Sequence, residues 1–239
     1  MNSVSLEIIV PVFNEGEKVV KLMKNFELHV RTNFRVLFCY DDASDNIFDY
    51  KNELSKFKFE IIFIKNVGKG PLSAIKEGFR NGNSDCVIVY PADDFLNFGI
   101  LDTMYQKFLD GSQIVVASRF IKGGSMNNCP LIKSILVRVA SYTLYYLSSI
   151  PAKDASNGFR LFSRKLLNEV KIESQVGFAY SLELLAKCNR LEYKISEVPA
   201  KWEERSEGQS RFKVLMWLPQ YLKWYIYGIL TSWLKIKKL

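Results

Sequence analysis

The chain has one histidine, His29, among 239 residues. Catalytic triads, histidine-based zinc sites and histidine general bases all need an imidazole beside partner groups. His29 follows Glu27 and Leu28 in a helix-like stretch away from every polar cluster, so these chemistries are excluded. The four cysteines, Cys39, Cys86, Cys129 and Cys188, show no paired spacing. A disulfide framework is therefore not indicated, and Cys39, Cys86 and Cys188, in apolar or helix-like runs, read as reduced core residues of a cytosolic protein. There is no Gly-x-x-x-x-Gly-Lys-Ser/Thr and hence no Walker loop. No apolar run is long enough for a confident membrane span. A strand-like run begins within a few residues of Met1, which leaves no room for a signal peptide. Internal repeats, low-complexity tracts and linkers are also lacking, and no acidic residue follows Lys213.

What is present is an ordinary globular composition, 48% apolar and 24% charged, in a length that suits one full core. The net charge of +8 is uneven: five lysines and three of the four tryptophans fall between Lys213 and Leu239. The remaining body is only mildly basic, so a nucleic-acid footprint is not indicated. The positive charge points instead to a local anionic partner.

Short β-branched and aromatic runs alternate with longer helix-like segments. Strands are predicted at Leu6–Phe13, Val36–Asp41, Phe59–Lys65, Asp85–Tyr90, Gln113–Ser118 and Tyr193–Val198. Helices are predicted near Glu17–Val30, Ile47–Phe57, Pro71–Asn81, Gly99–Asp110, Leu131–Ser148 and Tyr180–Asn189. This alternation predicts an α/β fold with a mostly parallel sheet covered on both faces. The first four strands read as continuous apolar runs, as doubly covered strands should. Beyond residue 212, polar positions at Gln220, Lys223, Tyr227, Thr231, Lys235 and Lys238 alternate with an apolar set. That set comprises Leu215, Leu218, Leu222, Tyr225, Ile229, Trp233 and Ile236. The period is that of an amphipathic helix, which either docks on its own domain or a twin subunit, or lies in the plane of a membrane surface.

Chemistry gathers where the predicted strands end, which in open α/β sheets is where ligands bind. The first run exits through Pro11-Val12-Phe13-Asn14-Glu15, placing a carboxylate at the start of a helix, where the dipole favours it. The second exits through Asp41-Asp42-Ala43-Ser44-Asp45, more acid than capping requires; a carboxylate here can accept a ring N–H of uracil or guanine. The third is followed by Asn66-Val67-Gly68-Lys69-Gly70, glycines allowing close backbone approach and Lys69 supplying a cation for phosphate. The fourth ends in Tyr90-Pro91-Ala92-Asp93-Asp94. Two adjacent acids at the end of a buried run are costly unless they bind a cation or cap a helix.

In collinear order over roughly residues 5 to 212, these segments resemble the family 2 glycosyltransferases of the GT-A fold. The branch is that of dolichol-phosphate mannose synthase and polyprenyl-phosphate sugar synthases. Further matches are Ser118-Arg119, Asp154-Ala155-Ser156-Asn157-Gly158-Phe159-Arg160, Glu197-Val198-Pro199, Arg205 and Gly208-Gln209-Ser210-Arg211. The resemblance implies a GT-A domain over residues 1–212 followed by the amphipathic helix of residues 213–239. It also implies an inverting enzyme that moves sugar from a UDP- or GDP-linked donor. Pro11, Phe13, Glu15 and Asp42 would line the nucleoside pocket, and Lys69 the phosphates. Ala92 and Asp93 would sit at the diphosphate, and Arg119, Arg205 and Arg211 would reach phosphates. Mg²⁺ or Mn²⁺ would be held by carboxylate and phosphate oxygens.

The family's Asp-x-Asp reads Pro91-Ala92-Asp93 here, so one usual carboxylate is missing. Asp94 either supplies a second metal ligand beside Asp93 or caps the next helix. Asp154 is the candidate base, with Asp93 and Arg205 the other candidate catalytic residues. For an alcohol acceptor Asp154 would remove a proton; for a lipid phosphate, already anionic, it would position other groups. The implied acceptor is a polyprenyl phosphate at the cytoplasmic membrane face, with residues 131–150 as a second membrane-proximal helix carrying Lys133 and Arg138. A soluble or growing glycan is the alternative acceptor, a non-catalytic nucleotide-sugar-binding module the rival class, and a homo-oligomer is compatible with both. Removing the chain from Lys213 onward is expected to release the protein from membranes and leave nucleotide binding largely intact.

Overall fold

A computed structural model describes residues 5–203 and 214–234. Its strands, in chain order, are β1 (Leu6–Val12), β2 (Phe34–Tyr40), β3 (Ile61–Lys65), β4 (Cys86–Val89), β5 (Ile114–Ser118), β6 (Ser125–Asn127), β7 (Arg160–Ser163), β8 (Ile195–Pro199) and β9 (Lys201–Glu203). The helices are α1 (Gly16–His29), α2 (Lys51–Leu54), α3 (Pro71–Asn81), α4 (Leu101–Leu109), α5 (Leu131–Ser148), α6 (Arg164–Glu169), α7 (Ala179–Arg190) and α8 (Val214–Trp233). Seven strands form one sheet in the order β3-β2-β1-β4-β7-β5-β8, and β6 pairs with β9 in a separate ribbon. Only β7 runs against its neighbours in the large sheet, antiparallel to both β4 and β5. Two such reversals restore the direction, so β5 leaves the sheet at the same edge as β1 to β4.

Alternation along β1 divides the core. Leu6, Ile8, Val10 and Val12 face one apolar layer, with Val19, Met23 and Phe26 of α1 and Leu101 and Met104 of α4. Ile9 faces the other, with Ile75 of α3, Tyr180 and Leu184 of α7 and Trp224 of α8. This is the period-two consequence of the pleat. The mostly parallel, doubly covered sheet is the one expected from the strand–helix alternation.

Three differences from the sequence reading have local causes. The expected helix over Ile47–Phe57 is a 3₁₀ turn, Asn46–Tyr50, running into the single turn α2. The Asp45 carboxylate accepts from Ile47 N at 3.0 Å and tightens the start, while Phe48 is held edge-on by Tyr40. β3 is only partly buried because it is the outer strand, with β2 as its one neighbour. β7 and α6 escape the sequence reading because they are four and six residues long, too short for a periodic signal.

The C-terminal helix is not a separate appendage. Trp217 and Trp224 are buried against the body, and Trp224 Nε1 donates to Ser174 Oγ at 2.8 Å. Lys187 of α7 and Lys223 lie 4.9 and 4.4 Å from the Trp224 ring centre. Thr231, expected on the polar outer stripe, is buried, and Tyr227 accepts from Arg190 Nη1 at 2.5 Å. Tyr227 thus meets the body through a hydrogen bond and Thr231 bonds back to the carbonyl of Tyr227 in its own helix, while Leu218, Leu222, Ile226, Leu230 and Trp233 face outward. Beside them α5, joined by Tyr225 Oη donating to Thr143 Oγ1 at 2.7 Å, exposes Leu131, Ile132, Ile135, Leu136, Val139 and Tyr146. All these outward side chains are 43 to 75% exposed. Among the described residues no helix is long and apolar enough to cross a membrane.

Candidate active site

The parallel register, Val12 opposite Tyr40 and Tyr40 opposite Lys65, brings the first three exits to one edge of the sheet. Pro11 is tolerated as the penultimate residue of β1, where the ladder is ending. Phe13 follows, half exposed, and Asn14 turns the chain at φ +55°, a conformation asparagine adopts more readily than most residues. The turn is clamped by the next exit: Asn14 N donates to Asp45 Oδ2 at 3.0 Å and Gly16 N to Asn46 Oδ1 at 2.9 Å. Glu15 is buried at the head of α1 with Lys18 Nζ 3.3 Å from its carboxylate.

The two acids after β2 do different work. Asp41 accepts from Asn66 Nδ2 at 2.6 Å and from Gly70 N at 3.0 Å. It thereby fastens the glycine loop that starts α3, in which Gly70 stands at φ +81°. Asp42 is exposed, and the Ser44 amide, donating at 2.9 Å, holds its carboxyl below the usual range, helped by Lys65 and Lys69. The structure therefore brings Asp42 and Lys69 near one another at the open rim.

At the fourth exit Ala92 is buried and Asp93 half-buried. Asp94 turns back into the protein. Its Oδ1 accepts from Leu96 N at 2.9 Å and Asn97 N at 3.1 Å, and its Oδ2 from Asn97 Nδ2 at 2.6 Å. Burial raises the Asp94 pKa, the hydrogen bonds from Leu96 and Asn97 opposing it. This is the turn-capping arrangement, and the second-ligand role for Asp94 does not fit it, because both oxygens are already aimed at protein donors.

The fifth exit carries Arg119, whose guanidinium grips Asp154 side-on: Nε to Oδ2 at 2.7 Å and Nη2 to Oδ1 at 2.8 Å. Asp154 is fully buried and also accepts from the amides of Arg119, Ser156 and Asn157. Burial would raise its pKa, but the Arg119 charge and hydrogen bonds prevail and hold it below the usual carboxylate range. Glu197 accepts from Lys153 N and Asp154 N at 2.9 and 3.2 Å. The buried Arg160 donates to the carbonyls of Asp154, Ala155 and Ser181. Arg205 and Arg211 lie outside the described residues.

Chemistry and topology, rather than hollow size, define this site. An open hollow of about 520 Å³, bordered by Asp85, Gln113 and Arg164, lies at the opposite ends of the strands. Among the described residues, no three of His, Cys, Asp and Glu cluster as a preformed metal cage. The oxygen donor at Asp93 nevertheless fits Mg²⁺ or Mn²⁺, hard cations bound through one or two carboxylates plus substrate phosphates and water. Sequence reasoning missed Asn97 and did not foresee the anchoring roles of Asp41, Asp45 and Asn66. Asx-turn spacing marks Asp94 and Asn97, but Asn97's other partner, Lys201, is 104 residues away and leaves no local signal.

A parallel sheet with one reversed strand and polar exits along one edge defines an α/β protein of the GT-A type. Residues 7–171 match the model of the family described as glycosyl transferase family 2, and the chain belongs to that family. It is 26% identical over 231 residues to the dolichol-phosphate mannosyltransferase of Pyrococcus furiosus, covering 92% of this chain and 64% of that protein. It is 21% identical over 228 residues to the polyprenol monophosphomannose synthase of Mycolicibacterium smegmatis, covering 88% of this chain and 85% of that one. Among solved structures, glucosyl-3-phosphoglycerate synthase from Mycobacterium tuberculosis, in complex with Mn²⁺, UDP and glucosyl-3-phosphoglycerate, superposes with a TM-score of 0.66 at 12% identity. That match covers 95% of this chain and 80% of that one.

Proposed function

We propose that this chain is an inverting glycosyltransferase that moves a sugar from a UDP- or GDP-sugar to a polyprenyl phosphate at the cytoplasmic face of a membrane. The observation that carries the reading is that one domain has both a polar strand-exit edge and a broad exposed apolar face on α5 and α8. The two mannose-transferring relatives, named for dolichol and polyprenol acceptors, support the same acceptor class.

At the donor end, Asp42 accepts a base N–H and Phe13 offers an apolar face to the nucleoside. Pro11 and the buried Glu15 shape the turn beneath it. Lys69, Arg205 and Arg211 supply cations for the phosphates, a guanidinium being able to pair with two phosphate oxygens at once. Asp93 is the protein ligand for Mg²⁺ or Mn²⁺, beside Ala92, whose small side chain leaves room for the diphosphate. When bound, the cation offsets charge on the departing nucleoside diphosphate.

At the acceptor end, a phosphate oxygen attacks the anomeric carbon as the bond to the diphosphate breaks on the opposite face, which inverts that centre. A phosphate monoester is largely dianionic near neutral pH, so no general base is needed. This agrees with the engagement of Asp154, whose oxygens are occupied by Arg119 and three amides. Asp154 orients Arg119 toward the reacting phosphates. The outward apolar side chains of α5 and α8 enter the lipid interface, with Trp233 at headgroup depth. A glycan acceptor would leave that face without a role.

The test is a screen of UDP- and GDP-sugars with Mg²⁺ or Mn²⁺, with and without polyprenyl phosphate, followed by glycolipid formation. Transfer that requires the lipid phosphate supports the reading. Transfer only to soluble glycans removes the lipid acceptor, and no transfer with any pair overturns the enzyme reading in favour of a binding module. Sedimentation with anionic vesicles tests the membrane face separately; self-association without vesicle binding would assign it to a second copy of the chain.

A further inference from the structure

Asn97 is 3% exposed and makes contacts in two directions. Toward its own turn, Asn97 N and Nδ2 donate to the Asp94 carboxylate at 3.1 and 2.6 Å. Away from it, Nδ2 donates to Lys201 O at 2.7 Å and Oδ1 accepts from Lys201 N at 2.8 Å. The side-chain amide thus pairs with both backbone groups of Lys201, as a neighbouring strand would. Lys201 opens β9, whose other edge is held by β6, with Ser125 N donating to Ala200 O at 3.0 Å and Asn128 Nδ2 to Glu203 Oε1 at 2.7 Å.

We propose that Asn97 is a positioning residue that ties the Asp93–Asp94 turn to β9, fixing the metal-ligating carboxylate of Asp93 relative to the β6–β9 ribbon. The turn does not need this second arm to close. Asp94 N already donates to Pro91 O at 3.2 Å, and Leu96 N to Asp94 Oδ1 at 2.9 Å. What the Lys201 arm adds is a fixed relation between this turn and a strand 104 residues away in the chain. The inference rests on the donor site as read above, in which Asp93 holds the cation beside the diphosphate. A side-chain amide suits the task because it offers a donor and an acceptor together, so neither backbone group of Lys201 is left unpaired. Asn97 acts through Asp94 and Lys201, without touching the donor itself.

Two variants of the full chain separate the arms. Asn97→Ala removes both side-chain contacts; Asn97→Ser keeps the backbone bond and a hydroxyl for Asp94 but is too short to pair with both groups of Lys201. Free Mn²⁺ is followed by electron paramagnetic resonance during titration in the presence of UDP or GDP, and folding by far-UV circular dichroism. For Asn97→Ser the half-saturating Mn²⁺ concentration is expected to rise about tenfold, as for loss of an outer partner of a metal ligand. Nucleotide binding without metal should fall less. If Asn97→Ala does not fold, Asn97→Ser decides. A folded Asn97→Ser whose Mn²⁺–nucleotide titration superposes on that of the wild type overturns the positioning role. Wild-type protein that binds neither UDP nor GDP with Mn²⁺ overturns the donor-site reading, and this inference with it.

Discussion

Replacing Asp154 by Ala would leave the Arg119 guanidinium, 8% exposed, without its carboxylate. Breaking one side of a buried ion pair costs on the order of 3–5 kcal/mol, because the remaining charge is uncompensated. The Asp154→Ala variant should therefore melt far below the wild type in calorimetry. Acid acts on the same pair. The folded Asp154 pKa is lowered from its ordinary value, so its contribution is complete above about pH 4 and is lost as pH falls through the depressed folded value. Thermal midpoints of the wild type should drop more steeply below about pH 4 than those of Asp154→Asn. A parallel dependence in the two proteins would remove the pair from the acid response. The neighbouring acids at the fourth exit should separate cleanly. With Asp93 as the proposed metal ligand, Asp93→Asn should lower Mn²⁺-dependent transfer about a hundredfold or more. Asp94→Asn keeps an acceptor for the Leu96 and Asn97 amides and should weaken Mn²⁺ dependence far less, through its turn, and steady-state rates at varied Mn²⁺ would show the contrast.

Among the elements, α8 carries two opposed assignments. Its inner side supplies Trp224, 1% exposed, to the second core layer. Trp224→Ala should cost about 3–5 kcal/mol, read from urea midpoints, because the cavity beneath it cannot fully collapse. Gly177 stands at φ +57° with the Trp217 ring against it; an added Cβ would fall 2.5 Å from that ring. Gly177→Ala should therefore loosen the start of the helix. The outer side is different. Leu222, Ile226 and Leu230 make the exposed stripe, and changing all three to Gln should abolish sedimentation with anionic vesicles while leaving the melting temperature nearly unchanged. Unaltered vesicle binding would place the lipid contact elsewhere.

For the whole molecule, the buried face of α8 changes the expected result of truncation. A chain ending before Val214 would uncover Ser174, Lys187 and the apolar surface around Tyr180 and Leu184 that α8 covers. Its loss should lower the stability of the entire sheet, not merely release it from lipid. Circular dichroism of the truncated chain should show early melting, and nucleotide binding should weaken in step. A truncated chain as stable as the full one would show that the helix is an appendage after all.

Much of this was legible along the chain. Local periodicity placed α3 and α5 at their observed bounds, because each is long enough for a face of apolar residues to repeat. Strand exits betrayed themselves by acids and glycines after β-branched runs, a contrast visible within ten residues, and the ordered motifs from Pro11 to Arg160 identified the family. What the sequence could not carry was the orientation of groups whose partners are distant. Along the chain Asp94 reads as either a metal ligand or a cap, and Asp154 as either a base or a positioning group; only the fold brings Asn97 onto the one and Arg119 onto the other. The helical period of α8 was plain, but its outward face was not, because Trp224 gains more from a buried seat between two lysines than a strict polar–apolar division predicts. The alternation of strands and helices thus determined the fold class, and the ordered motifs the family. Which oxygens remain for a ligand, and which helix face meets solvent, were decided only by tertiary packing, since hydrogen-bond pairing and burial depend on neighbours that the chain brings together by folding.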